Sequence, residues 1–154
     1  VTLPTVSTVP ACLDALVAAA KRALTGVQVV DGQPYDDIDD DLVMIAFTGD
    51  PGDQAVTVNR SQQQPTTSPD RESYDVTCLA ASWGGHETDP VPVRNKAYSF
   101  VNAIAAELAK DTTLGGVIGR SRISTDAFAQ AQTERGACAV VRFVVHVDAF
   151  TGRF

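Results

Sequence analysis

Five aspartates crowd one short stretch, Asp36, Asp37, Asp39, Asp40 and Asp41. Carboxylates this close repel one another unless water, a cation or a basic partner screens them. A calcium-binding hand is a poor match, because its loop turns on a glycine at the sixth position, where Asp41 stands. The run therefore reads first as a solvated acidic loop and second as a patch facing a basic partner. Nucleophilic serine chemistry would need a serine aligned with a histidine and a carboxylate. The chain has only two histidines and no G-x-S-x-G. Ser82 precedes His86 in a polar loop that does nothing to orient the ring. His146 shares a period-two strand face with Arg142 and Asp148, a pattern that a polar outer sheet face produces without catalysis. Arg120 and Arg122 lie two apart on one face. They suit a small basic patch for the acidic loop of a neighbouring copy, or edge charges that discourage aggregation. The glycines make neither phosphate-binding motif. Cys12, Cys78 and Cys138 are odd in number, lack a C-x-x-C and sit in apolar segments, so they read as buried thiols in a reducing compartment. Zinc would need clustered Cys and His. The expectation is of no catalytic residue, no metal and no cofactor.

Elements that position these residues must come from one domain's worth of chain. At 154 residues, a single core burying roughly 68–70% of the unfolded surface is feasible. A hydrophobic fraction of 44% and a mean hydropathy near zero argue against disorder and against a membrane protein. Nothing at the start of the chain reads as a secretory signal. The net charge of −7 disfavours phosphate neutralisation, so direct nucleic-acid binding through a broad basic face is not expected. It does favour soluble subunits that stay apart until complementary surfaces meet.

Periodicity predicts a first helix over about Thr8–Leu24. Ser7 or Thr8 caps it, Pro10 sits in its first turn, and Val9, Leu13, Leu16, Val17, Ala20 and Leu24 form its apolar stripe. Strands are expected at Val27–Val30 and Leu42–Phe47, with one more possible at Ala55–Arg60. Residues 54–70 are polar and are expected to be mobile, within a loop or hairpin excursion at about 48–70. A long strand follows over Arg71–Trp83, with Val76, Cys78 and Ala80 on one face. Pro90 and Pro92 belong to a loop before a second helix, Val93–Lys110, whose stripe is Val93, Ala97, Phe100, Val101, Ile104 and Leu108. Val117–Thr125 and Phe128–Gln132 read as a strand or a broken strand. Thr133–Gly136 is a hairpin turn in which Gly136 supplies a positive φ. The last strand, Ala137–Ala149, alternates most clearly, with Ala139, Val141, Phe143, Val145, Val147 and Ala149 on one face. The fold class is α+β: two amphipathic helices on a mainly antiparallel sheet of four to five strands, in the order α-β-β-(β)-β-α-β-β. Residues 1–154 form one domain.

From Val76 onward the order of segments resembles the tail terminator proteins of long-tailed bacteriophages. The matching pieces are Cys78–Gly85 (CLAASWGG), Arg94–Ala97, Leu108–Gly116 (LAKDTTLGG), Gln130–Ala139 (QAQTERGACA) and the alternating VRFVVHVDA. The resemblance covers roughly the C-terminal half. It implies a small α+β subunit of the virion, assembled in the bacterial cytoplasm, with neither catalytic residues nor cofactor. Such a subunit forms a hexameric ring on the tail tube, stops polymerisation of the tube protein and presents a joining surface to the head-side connector. A closing ring needs two different patches on each copy. The candidate interface residues are Asp36, Asp37, Asp39, Asp40 and Asp41 on one side and Arg120, Arg122, Arg142 and His146 on the other. Two other readings are another neck or head-closure component, and a small enzyme or ligand-binding domain with a pocket near Trp83 and His86.

Overall fold

Thr8 is the N-cap of helix α1, Val9–Ala23, with Pro10 in the first turn, where no internal N–H is required. The computed structural model describes residues 6–61, 70–85 and 88–151. The elements after α1 are β1 (Gln28–Asp31), β2 (Asp41–Ile45), β3 (Val56–Ser61), β4 (Asp70–Trp83), α2 (Pro90–Lys110), β5 (Arg120–Thr133) and β6 (Gly136–Thr151). This is the expected α+β order, with the possible third strand present.

The six strands form one sheet in the order β1-β2-β4-β6-β5, and β3 pairs β4 beside that path. β4 is long enough to carry two strands along one edge. Its second half pairs β2, Leu42 opposite Ala81, and its first half pairs β3, Val56 opposite Val76. The sheet thus has more strands than the four to five expected, and it is mixed, because β1 and β2 run parallel. A tight hairpin would have forced them antiparallel; the connection 32–40 instead carries the chain back to its starting end.

Both helices pack on one sheet face. The buried positions of α2 are Val93, Ala97, Phe100, Val101, Ile104 and Leu108, the stripe read from its periodicity. They meet Val76, Cys78 and Ala80 of β4 and Val141, Phe143, Val145 and Val147 of β6. In α1 the stripe is rotated: Cys12, Leu16, Ala19 and Ala20 are buried, while Val9, Leu13 and Val17 are only partly so. α1 touches α2 as well as β1 and β2. A second apolar cluster lies on the opposite face: Leu42, Met44, Leu79 and Ala81, joined by Ile38, Trp83 and Val140. Ile38 belongs to the connection 32–40, so this loop covers one end of the outer face.

Three boundaries differ from expectation. α2 starts at Pro90, because Asp89 accepts a hydrogen bond from the Val91 N–H and both prolines occupy a first turn that needs no amide donor. β5 is continuous and begins at Arg120; a bulge between Thr125 and Ala127 absorbs the break suggested by the sequence. Of residues 54–70, expected to be mobile, 56–61 form β3 paired antiparallel with β4, and 62–69 lie outside the described residues.

The start of α1 is tied to the sheet by a buried polar chain. Glu72 is 1% exposed and faces the helices. Its Oε1 accepts from the Thr8 amide at 2.9 Å and from the Thr8 hydroxyl at 2.8 Å. The Tyr74 hydroxyl lies 2.8 Å from Thr8 Oγ1 and, because that oxygen already donates to Glu72, serves as its donor. Negative charge at a helix N-terminus also suits the helix dipole. Burial raises the titration of Tyr74.

Candidate interface on the outer sheet face

Alternation along β6 turns Arg142, Val144, His146, Asp148 and Phe150 away from the helices, since their neighbours Val141 to Ala149 are buried. Register then decides what joins them. Asp75 of β4 stands opposite His146. On the other side of β6, Arg120 stands opposite Asp148, Arg122 opposite His146 and Ser124 opposite Val144. Thr57 and Asn59 of β3 extend the same face, opposite Asp75 and Ser73. The result is an open, polar surface with a concavity of about 390 Å³ lined by Thr57, Asn59, Asp75, Arg120, Arg122 and His146, among others.

Most charges here are used within the chain. Arg142 reaches Asp126 at 2.9 Å and Arg71 reaches Asp148 at 3.6 Å. His146 Nδ1 lies 2.6 Å from Asp75 Oδ1, and its Nε2 lies 2.8 Å from Ser124 Oγ. Arg120 and Arg122 make no ion pair among the described residues. The edge strand carrying them is also unusual: from Ser124 to Thr133 every residue is exposed, on both faces of the strand. Phe128 is among them, with its ring 5.5 Å from that of Tyr98 of α2.

The acidic run lies elsewhere, on the connection 32–40 and the start of β2. Gln28 of β1 fixes it, accepting from the Asp39 amide at 2.8 Å and donating to the Asp37 carbonyl at 3.3 Å. Two of its five carboxylates are occupied. Asp41 accepts from Ser82 at 2.8 Å and pairs Lys96 at 3.0 Å, and Asp40 pairs Arg135. Asp36, Asp37 and Asp39 are exposed with no ion pair among the described residues. Beside them Tyr35 is 92% exposed. The structure thus gathers Arg120, Arg122, Arg142 and His146 on the polar part of the outer face and the aspartates on the connection 32–40 and the start of β2, and no ion pair joins the two sets among the described residues.

Three contacts escaped the sequence. Asp75 and Ser124 converge on His146 from separate strands, Asp126 meets Arg142 across a bulge, and Arg135 lies over the Trp83 ring at 5.1 Å. Alternation could point His146 outward, but the strands and register facing it are not encoded locally. His86 lies outside the described residues. The three thiols are buried and unbridged. Desolvation raises Cys12 and Cys138 and pushes Cys78 up to about 12. Among the described residues no helix is long and apolar enough to cross a membrane. No protein-family model matches the chain, and no curated protein matches it.

Proposed function

We propose that this chain is a ring-forming structural subunit of a phage tail, a tail terminator that caps the head-proximal end of the tube. The observation that carries the reading is the separation of two unlike, unsatisfied patches on one copy. One holds Arg120 and Arg122 beside an edge strand exposed on both faces; the other holds Asp36, Asp37 and Asp39 beside exposed Tyr35. Patches of opposite charge at different places on one surface favour head-to-tail contacts, which close into a ring when the rotation allows. An edge strand with unpaired backbone groups adds a hydrogen-bonding surface that a second chain can complete. In this reading the ring contacts the tube protein on one side and the head-side connector on the other, in the virion, and needs no cofactor.

Light scattering on the eluting protein, followed by negative-stain imaging, tests it. A closed ring near six copies supports the reading, and adding the ring to polymerising tube protein should shorten the tubes. A stable monomer at all concentrations, with no effect on tube length, overturns it.

A further inference from the structure

A hydrogen-bonded chain runs from Asp75 through His146 to Ser124 on the outer face. We infer that it is a nucleophilic serine centre able to hydrolyse short carboxylic esters, with anionic ones favoured.

The argument starts from which atoms can donate. The Asp75 carboxylate only accepts, so the 2.6 Å contact requires a hydrogen on His146 Nδ1. In the neutral ring Nε2 then carries the lone pair. The 2.8 Å contact to Ser124 is therefore the serine hydroxyl donating to His146. This is the polarity a general base needs to take the proton as the serine attacks. The three residues come from β4, β6 and β5, and the strand ladders hold them: Asp75 is directly across from His146, and Ser124 is diagonal to it, two residues beyond the His146 partner Arg122. Solvent reaches the centre, with side-chain exposures of 31% for His146 and 56% for Asp75, so both substrate and hydrolytic water can enter. Arg122 shares the face, two residues from Ser124, and is the nearest cation in sequence able to stabilise charge developing on the carbonyl oxygen. With Arg120 it also lines the adjoining concavity, whose carboxylates Asp75 and Asp148 are held by His146 and Arg71, so the two arginines favour a substrate carrying a carboxylate. Ser124 is exposed, and a short acyl group is the substrate proposed.

In the reaction, Ser124 Oγ bonds to the acyl carbon while its proton moves to His146 Nε2. The carbonyl pair shifts to oxygen and then returns, expelling the alkoxide, which takes the proton from Nε2. Water, deprotonated by the same nitrogen, releases the carboxylic acid and restores Ser124. Asp75 is a positioning residue: it fixes the tautomer and does not touch substrate.

The test uses the full chain and a fluorophosphonate probe, with the adduct mapped by peptide mass spectrometry, alongside hydrolysis of 4-nitrophenyl acetate and of the 4-nitrophenyl monoester of succinic acid. The expected result is an adduct on Ser124, absent in Ser124→Ala, and labelling slowed about 100-fold or more in His146→Gln. Asp75→Asn should slow labelling and Asp75→Glu should restore part of it, whereas a merely structural carboxylate would leave the rate unchanged in a variant of unaltered circular dichroism. Arg122→Gln should erase any preference for the succinate monoester. No adduct on Ser124, or equal labelling of wild type and His146→Gln, overturns the inference and leaves a polar network only. Labelling is measured at high salt on the dissociated chain, so failure of this inference is distinguishable from failure of ring formation.

Discussion

Thr8 and Glu72 meet although 64 positions separate them, and their contact carries more than a surface hydrogen bond would. The carboxylate is fully desolvated, so each donor aimed at it offsets part of a burial cost of several kcal/mol. Thr8→Val removes the hydroxyl donor while keeping shape, and is expected to destabilise the fold by about 1–3 kcal/mol in chemical denaturation. The buried thiol of Cys78 gives a second expectation, in alkali. Its ordinary value of 9.0 is pushed up to about 12 in the fold by desolvation, so folding favours the protonated thiol. The stabilisation is complete below about pH 9 and is lost as pH rises towards 12. Denaturation midpoints should therefore fall over that window. Cys78→Ala should lessen the fall without abolishing it, because Cys12 and Tyr74 are raised in the same direction.

At the scale of elements, the β5–β6 hairpin decides most of the outer face. Thr133 pairs Gly136, so Glu134 and Arg135 form a two-residue loop, and Gly136 takes φ 87° to bring the strands back into register. Gly136→Ala places a side chain in that left-handed conformation and should cost about 1–2 kcal/mol, read as a lower denaturation midpoint. This turn was legible from Thr-Glu-Arg-Gly alone, because turn chemistry is local. The stripe of α2 was legible for the same reason: periodicity reports one helix's own face. The rotation of α1 was not, since its buried positions depend on packing against α2 and β2 together. Nor was the bulge in β5, where a partner strand imposes continuity that local propensity breaks at Asp126.

For the whole molecule, the placement of unsatisfied charge leads to a reciprocal expectation. If the acidic connection of one copy meets the Arg120–Arg122 patch of the next, reversing Asp36, Asp37 and Asp39 to Lys should reduce assembly to monomers. Reversing Arg120 and Arg122 to Glu should do the same. Mixing the two reversed sets in one chain should restore assembly in part, and wild-type assembly should weaken as salt is raised. Sedimentation at several protein and salt concentrations checks this; wild-type assembly by both single-patch variants would rule the pairing out. Asp40, Asp41 and Arg142 are poorer targets, because each already has a partner within the chain.

By itself the sequence determined what depends on neighbours in the chain: the helices, the alternating closing strand, the turn at Gly136, the α+β order and the outward direction of His146. Periodicity and turn preference act over a few residues, so they can be read without the fold. Tertiary structure alone decided the partners. It made β1 parallel to β2, sent the acidic connection across the second apolar cluster, and set strand register so that Asp75 and Ser124 meet the two nitrogens of His146. Register arises from the summed burial of a whole sheet face, and shifting it by one residue would have turned those side chains to the opposite face. A polar strand face in the sequence thus became, in three dimensions, a specific chain of hydrogen bonds beside two arginines that have no ion pair among the described residues.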